Sequence, residues 1–168
     1  MLVNNAGIFQ MGDLEKITLE DFDEGVNIHV KAVLSLTQLL KEALAQSKLK
    51  AIVNVSSYAS KIVSDKMISY YTTKSALDQL TRCMSVDLIK SCGIRVNSVN
   101  PASIATFFVP GRSEQEWEEI GKTYPVGRIG QPEDVSHAIL FLASDQAAHI
   151  VGQTLVLCGG KSVESPYR

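Results

Sequence analysis

Short apolar runs alternate with segments of helical period along the chain, and this alternation constrains the fold more than any other feature. The runs predicted to be strands are residues 2–3, 51–55, 94–99 and 154–157. The segments predicted to be helices are residues 18–44, 69–90, 113–121 and 132–143. Strands that alternate with helices in this way form a parallel sheet whose faces are covered by helices.

The composition is that of a folded domain without a membrane-spanning segment. The chain has 168 residues, of which 45% are hydrophobic and 20% are charged, and these can bury a core. We therefore predict a single domain over residues 1–168. No apolar run approaches the roughly 18 residues that a membrane helix needs. The net charge of −2 argues against nucleic acid or an anionic membrane surface as a partner.

The cysteines and the first residues indicate a cytoplasmic location. Cys83, Cys92 and Cys158 are odd in number and lack the C-x-x-C spacing of a zinc or redox site. We therefore expect reduced thiols and no bound metal, as is typical of cytoplasmic proteins. The first residues also lack the basic and apolar regions of a signal peptide.

Polar and small residues directly follow three of the predicted strands. They are residues 4–7, 56–57 and 100–106. Sites in open α/β sheets lie beyond the carboxyl ends of the strands. We therefore expect the functional site at this edge of the sheet.

Tyr70 and Lys74 are four residues apart on a predicted helix, which places their side chains on one face. A tyrosine hydroxyl has a pKa near ~10 and is a poor acid at neutral pH. A nearby ammonium group stabilises the phenolate and lowers that pKa, so the pair can act as a general acid. Such pairs are also common on solvated helix surfaces, and Tyr71 is an alternative acid.

The order and spacing of these motifs resemble those of the short-chain dehydrogenase/reductase family over residues 2 to about 160. The motifs that carry the resemblance are Asn4-Asn5-Ala6-Gly7, Ser57, Tyr70, Lys74, Asn100-Pro101, residues 127–134 and residues 152–160. The sequence after Tyr70 is similar to that of carbonyl and L-xylulose reductases. It is nearly as similar to that of many 3-oxoacyl-carrier-protein reductases.

The resemblance implies a fold, a reaction and a set of partners. The fold is a partial Rossmann-like, doubly wound parallel sheet of about four strands with helices on both faces, without the family's first βαβαβ half. The reaction is reversible hydride transfer between NAD or NADP and a carbonyl compound or secondary alcohol. The expected partners are that small-molecule substrate and further copies of the chain in a homo-oligomer.

The resemblance also assigns roles to individual residues. Tyr70 is the acid or base, Lys74 lowers its pKa and holds the nicotinamide ribose, and Ser57 polarises the carbonyl. The residues implied to bind the cofactor are Asn5, Tyr70, Lys74, Ile104 and Thr106. Purely structural roles stay open for three of these residues. Ser57 could be a strand-end hydrogen-bonding residue, Asn5 could form a turn and Thr106 could cap a helix.

The chain departs from the family at two points. The sequence contains no Gly-x-x-x-Gly-x-Gly turn, which in the family brings backbone amides to the cofactor pyrophosphate. We therefore expect the isolated chain to bind NAD or NADP weakly or not at all. The second departure is His29, which stands where the family carries an asparagine of its proton relay. A histidine there could hold a relay water or be a tolerated replacement.

Two functions stay open for the chain. The first is an oxidoreductase of this family that works through Ser57, Tyr70 and Lys74. The second is a truncated, non-catalytic form that cannot hold cofactor and at most pairs with full-length subunits. The substrate would be selected by residues 103–125. The apolar residues of this segment could line a pocket, or equally cover the core or a subunit interface: Phe107, Phe108, Val109, Trp117 and Tyr124.

Overall fold

Four parallel strands form one sheet in chain order in the computed structural model, which describes residues 1–164. The strands are β1 (Leu2–Asn4), β2 (Ala51–Val55), β3 (Arg95–Pro101) and β4 (Thr154–Leu157). Each strand pairs in parallel with the next one along the chain. The four predicted strands are confirmed. Residues 165–168 of the predicted domain lie outside the described residues.

Within residues 1–164, five α-helices connect or follow the strands. They are α1 (Leu19–Val26), α2 (Ala32–Gln46), α3 (Ile68–Cys92), α4 (Glu114–Lys122) and α5 (Pro132–Ala143). α1 begins with a capping box, in which the Asp21 amide donates to Thr18 Oγ1 at 3.0 Å and the Thr18 amide donates to the Asp21 carboxylate at 3.3 Å. In the described part of the chain, no helix is both long and apolar enough to cross a membrane.

A single π turn, Asn27–Lys31, separates α1 from α2. The helix predicted over residues 18–44 therefore forms, with a π turn inside it that was not predicted. The wider turn contains the fully buried His29. Such turns often occur at functional sites. The apolar period could not indicate this turn, because the period continues on both sides of it.

Apolar side chains pack against both faces of the sheet. Helices α2 and α3 cover one face, where Ile52 and Val96 meet Leu77. Helix α5 covers the other face, where Val53 meets Leu142. Neighbouring strand residues point to opposite faces, so Ile52 and Val53 belong to different clusters. The predicted α/β fold with helices on both faces is confirmed.

A buried arginine caps the carboxyl end of α5. Arg95, the first residue of β3, is 7% exposed. Its guanidinium donates hydrogen bonds to the carbonyl oxygens of Leu142 (2.7 Å), Ala143 (3.2 Å) and Ser144 (3.0 Å). Carbonyls at a helix end lack partners within the helix, and the helix dipole favours a cation there. Burial lowers the pKa of Arg95, and nearby Asp145 opposes that shift.

Candidate active site

Ser57 lies two residues beyond the end of β2, where the chain enters a 3₁₀ turn. Its hydroxyl oxygen accepts a hydrogen bond from the Ala59 amide at 3.1 Å, which leaves the hydroxyl proton available for donation. Its backbone oxygen accepts a hydrogen bond from Asn100 Nδ2 at 2.9 Å, which ties the turn to β3. Ser57 therefore has a strand-end structural role, and its hydroxyl still has one proton to donate.

Tyr70 and Lys74 lie on the buried face of α3, with 8% and 3% of their surfaces exposed. Lys74 Nζ is 5.8 Å from the centroid of the Tyr70 ring and donates a hydrogen bond to the Val55 carbonyl oxygen at 3.0 Å. The Ser57 hydroxyl lies close enough to Tyr70 to act on its pKa, so α3 and the end of β2 meet at this point. The structure therefore brings Ser57, Tyr70 and Lys74 into one crevice.

Burial dominates the electrostatics of this crevice. Burial raises the pKa of Tyr70, and hydrogen bonding with Ser57 only partly opposes that rise. The lowering of the Tyr70 pKa by Lys74 stays a prediction. Burial also lowers the pKa of Lys74 to about 8, and the Asp78 carboxylate opposes that shift. At neutral pH Tyr70 therefore keeps its proton, and most Lys74 amines remain charged.

Tyr70 rather than Tyr71 has the ring contacts of this crevice. The Tyr70 ring packs edge-on against His29, with centroids 5.7 Å apart. Among the described residues, Tyr71 makes no such ring contact and is half-buried. Consecutive helix residues point in directions about 100° apart, so only one of the two can face the crevice.

His29 connects the segment after β1 to α3. Its Nε2 accepts a hydrogen bond from the Ile8 amide at 3.1 Å, and its Nδ1 is 2.9 Å from Thr73 Oγ1. Thr73 Oγ1 donates to the Ser69 carbonyl at 2.8 Å, so His29 Nδ1 is the donor in the second contact. Both ring nitrogens are engaged, which leaves none for the relay water considered from the sequence. The geometry favours a positioning role for His29.

The buried ring of His29 predicts a loss of stability in acid. Burial, aided by the charge of Lys74, lowers the pKa of His29 from 6.5 to about 4. Between these pH values the unfolded chain binds more protons than the folded one, so stability falls as the pH falls. We expect a loss of about 2 kcal/mol between about pH 7 and about pH 5, measured by urea denaturation. His29→Asn, which cannot titrate, should lose about 2 kcal/mol less over the same range. Equal losses in both proteins would contradict this.

The other residues predicted to bind the cofactor lie at the same edge of the sheet. Asn5 directly follows β1 and is exposed. Ile104 is half-buried, and Thr106 is exposed and accepts a hydrogen bond from the Phe108 amide at 3.4 Å. Thr106 thus bonds within a loop and does not cap a helix. The Phe108 ring lies 6.3 Å from the Tyr70 ring, so this loop passes beside the crevice.

Asp78 is a positioning residue that was not predicted from the sequence. It is 2% exposed. Its carboxylate accepts hydrogen bonds from Asn100 (2.9 Å), Ser60 (2.6 Å) and Lys61 (2.8 Å). Burial alone would raise the pKa of Asp78, but these donors outweigh burial and lower it. The network holds the turn that carries Ser57. The sequence does contain a signal for this role: Asp78 is an acidic residue that directly follows Leu77 on the apolar side of α3.

The crevice fits the nicotinamide end of a dinucleotide. An ammonium group has three donors, and among the described residues only the Val55 carbonyl accepts a hydrogen bond from Lys74. Two donors therefore remain for ribose hydroxyls beside the Tyr70 hydroxyl. Within residues 1–164, no group of three or more His, Cys, Asp or Glu side chains could hold a metal ion.

Known proteins match this chain over nearly its whole length. A family profile described as Enoyl-(Acyl carrier protein) reductase matches residues 1–162. The 3-oxoacyl-[acyl-carrier-protein] reductase of Rickettsia conorii is 35% identical over 160 residues, which are 95% of this chain and 66% of that protein. The chain belongs to the short-chain dehydrogenase/reductase family, a family of oxidoreductases. The motif-based assignment is therefore confirmed.

Solved structures of dehydrogenases share the fold. The ligand-free aldohexose dehydrogenase of Thermoplasma acidophilum matches with a TM-score of 0.91 at 31% identity, over 99% of this chain and 69% of that one. A gluconate 5-dehydrogenase from Burkholderia cenocepacia, solved with NADP and tartrate, matches with a TM-score of 0.86 at 27% identity, over 98% and 65% of the chains. The present chain spans 65% to 66% of the length of the curated relatives that it matches.

Proposed function

We propose that the chain carries the catalytic residues of an NAD- or NADP-dependent reductase that interconverts a small carbonyl compound and its alcohol. The observation that carries this proposal is the crevice in which the hydroxyls of Ser57 and Tyr70 meet beside the Lys74 amine. Two hydroxyl donors and one cation suit a carbonyl oxygen that gains negative charge in the transition state. The solved gluconate 5-dehydrogenase that holds NADP adds support.

Tyr70 is the proton donor in the proposed reduction. Its hydroxyl is protonated at neutral pH, and the charge of Lys74 beside the ring favours transfer of that proton as the substrate oxygen becomes basic. Ser57 supplies a second hydrogen bond to that oxygen: its own oxygen accepts from the Ala59 amide, and its proton turns from Tyr70 to the substrate oxygen when substrate is bound. In the oxidative direction Tyr70 first releases its proton, and its phenolate then accepts the alcohol proton.

Lys74 supplies positive charge and holds the ribose. One of its N–H groups is fixed by the Val55 carbonyl, which directs the amine along the crevice beside Tyr70. The cofactor, when bound, supplies or accepts the hydride. Asn5, Ile104 and Thr106 are the further residues proposed to contact it.

Isotope transfer tests this function directly. The chain is incubated with a 1,2-diketone and millimolar NADH or NADPH deuterated on both faces of C4, and the product alcohol is analysed by mass spectrometry. The high cofactor concentration compensates for weak binding, which we expect because the glycine-rich turn is absent from the sequence. We expect deuterium at the carbinol carbon above a protein-free control. Absence of deuterium with both cofactors would overturn the proposal and favour the non-catalytic alternative.

We further propose that the chain forms a homo-oligomer through α2. Leu36, Leu39 and Leu40 lie at helical spacing on one side of α2, with 44%, 77% and 38% of their surfaces exposed. A contiguous exposed apolar patch is typical of an interface between subunits.

The free thiols of all three cysteines support the proposed cytoplasmic location.

The oligomer proposal predicts that Leu39→Glu changes the molecular mass in solution. We expect the unmodified chain to elute as a dimer or larger species in size-exclusion chromatography with light scattering. A charged residue at the centre of the patch should shift the oligomeric state of the chain toward the monomer, because an unpaired charge is costly to bury. Leu14→Glu is the matched control, since Leu14 is equally exposed but lies outside α2. A monomeric unmodified chain, or an unchanged mass for Leu39→Glu, would contradict the prediction.

A further inference from the structure

Aromatic side chains from three separate segments surround the ring of Tyr70. Phe9, in the segment after β1, lies 5.8 Å from Tyr70 between ring centroids. Phe108, in the loop after β3, lies 6.3 Å from Tyr70 and 5.9 Å from Phe9, with an edge-on angle of 75° to the latter. His29 packs edge-on from the π turn. We call Phe9 and Phe108 the aromatic rim.

The aromatic rim is not simply part of the buried core. Phe108 keeps 41% of its surface exposed, although it touches both Phe9 and Tyr70. A ring that only filled space between loops would be buried by its neighbours. Its free surface is therefore available to a molecule that approaches Tyr70 from solvent.

Phe107, the residue before Phe108 in the same loop, does not belong to the aromatic rim. Phe107 is fully exposed and, among the described residues, has no ring contact. Phe108 is directed toward the crevice, and Phe107 is not. Both residues are phenylalanines, but only Phe108 contacts the Tyr70 ring. Substitution of Phe107 is therefore a matched control for substitution of Phe108.

The aromatic rim has no stacked cation in the described part of the chain. Lys74 is the cation that contacts the Tyr70 ring, and among the described residues no cation stacks on Phe9 or Phe108. His29 is neutral near physiological pH, because burial lowers its pKa to about 4. A group held by the rim therefore meets ring faces and edges rather than charges. Offset or edge-on stacking favours a flat ring over a saturated one of similar size.

We propose that the aromatic rim of Phe9 and Phe108 selects carbonyl substrates that carry an aryl or other flat conjugated group next to the carbonyl. The inference rests on the proposed function for the place of the carbonyl, between Ser57 and Tyr70. With the oxygen at these hydroxyls, one substituent of the carbonyl extends past the Tyr70 ring toward Phe9 and Phe108. The rim thus determines specificity, and the Ser57–Tyr70 pair determines reactivity.

The test compares the binding of two ketones of similar size and polarity, acetophenone and cyclohexyl methyl ketone. Dissociation constants are measured on the 168-residue chain by ligand-observed NMR without cofactor. We expect acetophenone to bind about three- to tenfold more tightly, as ring stacking predicts. Phe108→Leu and Phe9→Leu should each bring the ratio close to one. Phe107→Leu should leave the ratio unchanged, and thermal melts confirm that each variant is folded.

Each outcome bears on the proposal. Equal affinity for the two ketones, no measurable binding of either, or the same loss in Phe107→Leu as in Phe108→Leu would overturn it. The measurement contains no nicotinamide cofactor, so it is independent of hydride transfer. An aryl preference without isotope transfer would refute the proposed function and leave the rim as a binding site. Isotope transfer without an aryl preference would refute the rim alone.

Discussion

Tyr70→Phe is expected to lower the rate of hydride transfer by about a hundred- to ten-thousandfold, the usual contribution of a general acid. Phenylalanine keeps the ring that packs between Phe9 and His29 but removes the hydroxyl that bonds with Ser57. The fold should therefore remain while the proton donor is lost. The rate is measured as deuterium transfer from the labelled cofactor to a diketone.

Tyr71→Phe is the matched control for this prediction. It removes the same hydroxyl from the adjacent residue of α3, which has no ring contact in the crevice among the described residues. We expect its rate to stay within about twofold of the unmodified chain, as for a surface change remote from the chemistry. A large loss in Tyr71→Phe, or a small one in Tyr70→Phe, would show that the assignment of the acid is wrong.

Arg95→Met is expected to reduce the free energy of unfolding by about 3 kcal/mol. Methionine fills part of the buried space but donates nothing to the carbonyls of Leu142, Ala143 and Ser144. Those carbonyls would lose charge-assisted hydrogen bonds at a helix end, where the helix itself offers no replacement. The change is measured by urea denaturation followed by circular dichroism.

Arg82→Met provides the comparison for the Arg95 variant. Arg82 is exposed on α3, and among the described residues its guanidinium bonds only to Gln79 on the same helix. We expect its stability to change by less than about 0.5 kcal/mol, as for most surface substitutions. A similar loss in both variants would mean that the cap on α5 contributes no more than an ordinary surface arginine.

The secondary structure could be predicted because its signals are local. The β-branched run at residues 51–55 and the apolar period around Leu77 each depend on neighbours within one element. The capping box at Thr18 is likewise contained in four residues. The π turn at His29 was missed, since one extra residue in a turn changes the phase of a pattern but not its period.

The candidate site could be predicted in part. Tyr70 and Lys74 share a helix face through their spacing, and Ser57 follows a strand, so the sheet rule places it at the same edge. The role of Asp78 was missed, because its donors Asn100, Ser60 and Lys61 come from other segments. The aromatic rim was foreseen only as one of several uses for Phe108, and Phe9 was not considered.

The sequence alone determined where the four strands lie along the chain, which helix carries the tyrosine and lysine, and to which family the motif order belongs. Only the tertiary structure decided that the pKa of Tyr70 rises, that both nitrogens of His29 are engaged and that Arg95 caps α5. These properties depend on burial and on distances between segments far apart in the chain. Local pattern does not encode such distances, because they are set by how the helices pack on the sheet.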